Sequence, residues 1–555
     1  MKKIVKIYLF VLIGVFFTSC ENSINDMPQN YLEVNEILVD STYVIGFVDD
    51  MYGSLPTGYS RLGGTSMMAS ATDEAVESPN NTEAENMAIG VWAASNTRDD
   101  VWAKMYNAIR KTNVFLNEVH PNIPQGLFKS ENTVTLLTGQ TYFMRALFHF
   151  ELVKRYGGVP IVTKVFKAGE GTDIARNNFD DCIKFIVDEC DRAAAILPVE
   201  WSVATLDFGH VTKGAALALK SRALLYAASP LFNDSQKPEN TIEHGAYDQN
   251  KWISAASAAN DVIALNYYTL FANYQNFFTT INNNKEIILA KMAAQNNDVE
   301  KLNGPSGFTG GGGGSCPTLD LVDSYLMYDG SKFDWNNPIH ASNPFLDREP
   351  RFYASILHNG ASWMGDLIDT YEGGNDLGTT NSTKTSFYLK KFMSESAKWF
   401  GGTPGNTYHC FPIFRYAEVL LNYAEAQNEV SGPITAGTYS LTALAALNQV
   451  RARVGLPEIS TSVTKEELRT IIREERKIEL AFEEHRHLDL RRWKIAANIL
   501  NKAVNGLKIT LNTDGSFTYQ KIEVQKRVFK PEMYLYPIPQ GEINRSNSLI
   551  QNTGW

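Results

Sequence analysis

Side chains that could hold or move charge are densest between Thr464 and Lys494, TKEELRTIIREERKIELAFEEHRHLDLRRWK. Glu474, Glu475, Glu479, Glu483, Glu484 and Asp489 lie there with His485 and His487, the residue types of a hydrolase or a metal centre. A glycosidase needs two carboxylates held at a set separation around a sugar. These acids instead repeat along one helix and alternate with arginine, the pattern of salt-bridged faces. His485 and His487 are two apart, so on a continuing helix they point in different directions and make a poor ligand pair. The sequence has no H-E-x-x-H, G-x-S-x-G, Walker or Rossmann motif. The glycine run Gly310 to Gly314 lacks a following Lys-Ser/Thr, so it reads as a flexible surface loop and not as a phosphate cradle. No catalytic residue, metal or cofactor is expected.

A second kind of chemistry is available to aromatic rings in polar surroundings. Sugar rings present apolar C–H faces that stack on Trp and Tyr, and their hydroxyls take hydrogen bonds from Asn, Asp and Arg. Two stretches have that composition. The first holds Asp73-Glu74 and, before a helix, Trp92, Ser95, Asn96 and Arg98. The second, within a long polar region, holds Trp363, Tyr371, Asn375, Asp376 and Trp399. The competing role for each ring is that of a packing anchor in its loop. Trp102, Tyr106 and Trp493 lie on helix stripes and read as core. If the chain were instead a hydrolase, insertion carboxylates such as Asp366 or Glu372 would carry the reaction.

Helices must position these residues. Thr464 and Glu467 form a capping box, and Leu468, Ile471, Ile478 and Phe482 follow on one face. Glu475 interrupts that face, so it is expected to be buried and paired with an arginine, Arg486, Arg491 or Arg492 being nearest downstream. Helical patterns also cover Asp99–Val119, Thr138–Tyr156, Asn178–Leu197, Thr212–Ser229, Lys251–Ala264, Ile413–Val430 and Leu441–Val454. Between them Glu286 to Ala290 reads as a strand, and about 295–409 as a loop-rich insertion with seven glycines between Gly304 and Ser315. No fixed repeat period emerges. The expected fold is mainly α: an irregular tetratricopeptide-like α-superhelix (36–290 and 410–505) carrying that insertion, a few short strands and an irregular tail, 506–555.

The bulk numbers agree with a folded binding protein. The 555 residues are 44% hydrophobic and 20% charged, with 25 Tyr and 9 Trp, more rings than a core requires. A net charge of −10 argues against nucleic acid or an anionic membrane surface as partner. The five cysteines offer no metal spacing. Cys182 and Cys190 lie about 12 Å apart along a helix, too far to bridge. Lys2, Lys3 and Lys6 precede an apolar run from Ile7 to Phe17, which is too short to span a bilayer and reads as a signal peptide, 1–19. Thr18-Ser19-Cys20 resembles a bacterial lipoprotein cleavage site, making Cys20 the acylated first residue of a single mature domain, 20–555. Phe17 stands where leucine is usual.

Several segments in order resemble the SusD/RagB family, outer-membrane nutrient-binding lipoproteins of Bacteroidetes. They are Trp102 to Asn113, Met144 to Pro160, Thr212 to Lys220, Ala227 to Asn233, Asp347 to Phe352 and Phe414 to Leu421. Arg473 to Trp493, Pro537-Ile538-Pro539 and Gln551-Asn552 follow. His485 and His487 stand where glycine and an aromatic are usual, and Thr553 and Trp555 replace Pro and Tyr. The resemblance implies a lid-like partner of a TonB-dependent outer-membrane transporter that captures oligosaccharides, or in some members peptides. It also implies ligand-contacting aromatics in the loop before the Trp102 helix, where Trp92 is the matching ring. The implied location is the outer membrane, facing the cell surface through the lipid on Cys20. Alternatives are a peptide binder, a purely structural lid or a lipoprotein glycoside hydrolase.

Overall fold

Where apolar residues recur at three- and four-residue spacing the chain is helical. The computed structural model describes residues 33–167, 170–171, 173–201 and 209–555, so the leader and Cys20 lie outside the described residues. The main helices are α1 (Ser41–Met51), α2 (Trp102–Val114), α3 (Glu131–Tyr156), α4 (Phe179–Ile196), α5 (Lys213–Ala228) and α6 (Lys251–Ile263), followed by α7 (Tyr416–Ser431), α8 (Ala443–Ala452), α9 (Lys465–Glu479) and α10 (His485–Arg492). From α2 to α6 each packs on the next, α6 packs on α7, and α7 packs on α8 and α9. The result is mainly α, an irregular superhelix of tetratricopeptide-like pairs. Ala228, Ala255, Ala256 and Ala426 form one cluster across α5, α6 and α7, small side chains that let the helices approach closely.

The α6–α7 contact bridges everything between residues 264 and 415. Strand β2 (Ile287–Met292) pairs antiparallel with β4 (Cys410–Arg415), which holds the two ends of the inserted region side by side. The first residues of the predicted helix Ile413–Val430 therefore belong to a strand. The insertion, though loop-rich, has its own core, in which Leu321, Phe352, Trp363, Phe387, Tyr388 and Leu389 are buried. The tail is not all irregular. Val504–Leu511 (β5) and Phe517–Gln525 (β6) form a hairpin. Cys182, Cys190, Cys316 and Cys410 are free and buried. Among the described residues no helix is long and apolar enough to cross a membrane.

The charged run is not one helix. The capping box of Thr464 and Glu467 forms, but α9 ends at Glu479. Phe482 (φ 64°) and Glu484 (φ 66°) then take left-handed conformations, which turn the chain into α10. The apolar face runs through Leu468, Ile472 and Ile478, with Ile471 only half-buried.

Glu475, 2% exposed, sits on that face as expected, but its partners come from elsewhere: Arg351 at 2.5 Å and Arg451 at 3.3 Å. Arg486 instead pairs with Asp73, Arg492 with Glu425 and Asp489, and Arg491 donates to backbone oxygens. Glu479 meets Arg351, Arg415 and Arg453 at 3.0, 2.6 and 2.5 Å. Burial pushes its carboxyl pKa up, but the guanidiniums of Arg453, Arg415 and Arg351 outweigh that and hold it well below the usual range. Glu483 pairs with Arg415 and Lys391, and Glu286 with Arg415 and Arg453. Glu475, Glu479, Glu483 and Asp489 of this run are thus all held in buried ion pairs.

Removing one member of such a network leaves buried cations uncompensated. Glu475→Gln is expected to lower the urea-unfolding free energy by roughly 3–5 kcal/mol. A loss under about 1 kcal/mol would mean that the pair contributes no more than an exposed one.

Candidate functional site

The two stretches with ligand-like composition are joined by a ladder. Strand β1 (Ala75–Glu77) pairs antiparallel with β3 (Ser315–Pro317), with Glu77 opposite Ser315 and Ala75 opposite Pro317. Ser78 N–H then donates to Gly314 O at 2.9 Å, which brings the N-terminal segment against the glycine-rich loop.

The glycine run is packed, not flexible. A Cβ on Gly311 would lie 2.1 Å from Pro305 O, and one on Gly313 2.1 Å from Asn381 O. Only glycine permits backbone this close. Asp376, expected to face a ligand, is buried. Its carboxylate accepts from Gly307 N–H at 3.1 Å and Asp369 N–H at 2.8 Å, so it fixes the start of the loop.

Three predicted site residues are withdrawn from any ligand. Asp73 is buried and held by Arg486 at 2.8 Å and Lys477 at 3.1 Å. Burial opposes its ionisation, but the two cations keep its carboxyl well below the usual range. Trp92 is buried edge-on to Tyr536 at 4.7 Å and beside Trp555 at 5.2 Å. Its loop is clamped to the tail by Gln540 N–H donating to Ala94 O and by Gly90, where a Cβ would meet Val528 at 2.8 Å. Trp363 is 0% exposed in the insertion core. A ring with no free face cannot stack on a sugar.

The other four reach the surface. Asn96 is exposed in a tight turn closed by reciprocal backbone bonds with Ala93. Arg98 donates to Val91 O at 3.0 Å and lies 3.6 Å from Glu83. Tyr371 is half-buried, its ring 5.6 Å from Phe517 of β6. Trp399 is half-buried across the glycine loop. Its indole N–H donates to Thr309 O at 3.1 Å, and a Cβ on Gly304 would strike its ring at 2.2 Å. Phe400 stands 5.1 Å from Trp399 and also 5.1 Å from Phe308, so a small cluster of rings is fixed there. The sequence reading passed over Phe400. Its signal was adjacency to Trp399 just before Gly401-Gly402. No cluster of ligating side chains suited to a metal occurs among the described residues.

Such an α-superhelix bearing a looped, ring-presenting insertion defines a class of binding protein, and comparison with known proteins identifies it. The family model described as "SusD family" matches residues 264–555, and one described as "Starch-binding associating with outer membrane" matches 24–225. The chain belongs to the SusD family. SusD-like protein P25 of Formosa agariphila is 22% identical over 89% of this chain and 90% of its own. Among solved structures, a SusD-like protein from Bacteroides fragilis is 28% identical, covering 94% of this chain and 98% of that one, with a TM-score of 0.78. A SusD-like carbohydrate binding protein from the same species is 28% identical over 92% and 99%, with a TM-score of 0.76.

Next to Asp73, Glu74 is the unusual acid. Burial, then the Asp73 charge, push its carboxyl pKa up to about 8. A folded pKa above the unfolded one contributes stability below the unfolded value and loses it as pH rises through the folded one. Glu74→Gln removes that titration. The variant's unfolding free energy relative to the native chain is therefore expected to climb between about pH 5 and pH 8. A flat difference in urea melts across that window would show that Glu74 ionises normally.

Proposed function

We propose that this chain is a non-catalytic, lipid-anchored protein of the outer membrane. It captures oligosaccharides at the cell surface and hands them to a partner TonB-dependent transporter. Family membership supports the reading, together with the carbohydrate-binding relative at 28% identity, the outer-membrane association in the second family description and the lipoprotein-like leader ending at Cys20.

The observation that carries a saccharide ligand is the ring cluster of Trp399, Phe400 and Phe308 held on the glycine loop. Rings fixed before a ligand arrives lose little side-chain freedom on binding. The exposed carboxylates of the inserted region do not favour hydrolysis. Glu372 accepts from Lys508 and Thr510, bonds that hold its carboxyl below the usual range, whereas a general acid needs a raised one. Asp366 is exposed in a two-residue strand.

Trp399→Ala is expected to weaken the best-binding oligosaccharide of a glycan array by about tenfold or more, with the protein still folded and no reducing ends released. Trp363→Ala is expected to act on stability instead, lowering it by roughly 3–5 kcal/mol. Unchanged glycan affinity in Trp399→Ala would move the site away from this cluster.

A further inference from the structure

A groove of about 770 Å³ runs along α2, far in sequence from Trp399. Its other walls are Pro160, Val162, Lys164, Phe166, Lys167 and Glu170, and the short helix Gln540–Arg545 with Ser546 and Leu549 behind it. The volume is within the range of small-molecule sites.

Two of its polar groups, Tyr106 and Arg110, are held by hydrogen bonds. Tyr106 is half-buried, and its hydroxyl donates to Pro160 O at 3.0 Å, which fixes the ring. The exposed Arg110 donates through Nη1 to Phe166 O at 3.0 Å. That bond uses a carbonyl and leaves the guanidinium charge uncompensated. The exposed amide of Asn107 lies between them on α2.

The charge of the groove is opposite to that of the chain. Arg110, Lys164, Lys167 and Arg545 line it, against Glu170 and Glu542. Lys164 pairs with Glu170 at 2.7 Å and Arg545 with Glu542 at 3.2 Å. Among the described residues neither Arg110 nor Lys167 has a carboxylate within ion-pair distance of its side chain. Asp173 stands nearby, engaged by the Ser546 hydroxyl and the Ser548 N–H. The four cations thus outnumber Glu170, Glu542 and Asp173 by one, in a protein of net charge −10.

We propose that this groove is a second ligand site, for an acidic saccharide. A sugar ring lies against Tyr106, Asn107 bonds its hydroxyls, and its carboxylate or sulfate ester sits on Arg110 and Lys167. The fork of Arg110 suits a two-oxygen acceptor. The proposal rests on the reading that the chain captures saccharides, but on residues separate from the ring cluster of the insertion.

The test is calorimetric titration of the mature protein with three probes: a galacturonic acid trisaccharide, the matching neutral galactose trisaccharide and sodium sulfate. Arg110→Ala combined with Lys167→Ala alters exposed side chains only and is expected to leave the thermal midpoint unchanged. It should weaken galacturonate binding by about tenfold or more, and added salt should weaken it in the native chain. Trp399→Ala should leave it intact. Galacturonate binding that is absent, insensitive to the double variant or lost in Trp399→Ala would overturn the proposal. Sulfate binding as tight as galacturonate would overturn its saccharide part. If galacturonate binds the groove while Trp399→Ala changes no glycan affinity, the groove stands and the Trp399 site falls.

Discussion

The structure depends on one buried exchange of charge. Glu286, Glu349, Glu475, Glu479 and Glu483 face Arg351, Lys391, Arg415, Arg451 and Arg453 in the buried interior. Each of these ions alone would cost several kcal/mol to bury. Set against one another they are tolerable only in a single arrangement, because shifting any element by a residue leaves a charge without its partner. The members come from α8 and α9 with their flanking turns, the β2–β4 ladder and the insertion. A network of that origin specifies where the insertion sits on the helices. It does so without a repeat in the sequence.

The ring cluster proposed to bind the saccharide inherits its rigidity from that frame. β1 and β3 carry the glycine loop, Asp376 fixes the loop's start, and Trp399 lies across the glycines with Phe400 beside it. Large rings and glycine backbone are complementary here: the absence of Cβ atoms lets an indole approach the chain directly. The groove on α2 is organised differently, by cations and carbonyls at the protein's edge. Binding at the proposed first surface would rest on ring packing and at the proposed second on charge, so salt would separate them.

Legibility followed the range of each interaction. Helices α4, α5 and α6 were readable to within a residue or two, because their apolar spacing and breakers are local. The hairpin β5–β6 was missed although Leu507, Ile509 and Leu511 alternate with Lys508 and Thr510, and Phe517 and Tyr519 with Thr518 and Gln520, on either side of a turn at Asp514-Gly515. Glu475 could be placed in the interior from its position on a stripe, yet Arg351, its closest partner, lies 124 residues away. The site residues were the least readable. Trp92, Trp363 and Trp399 have similar polar, glycine-rich neighbourhoods in sequence, and folding buried two and left the third half-open.

The sequence by itself therefore determined the helical class, the family resemblance and the burial of Glu475 against arginine. All three are written in residue types and short spacings. Tertiary structure alone decided which arginine meets which carboxylate, that the glycine run is packed, and which tryptophan is left half-buried. Those outcomes turn on burial, and burial of a loop residue is set by what distant segments lay over it. The tail closes Trp92 with Tyr536 and Trp555, while Trp399, against Phe308 and Phe400, is left half-buried.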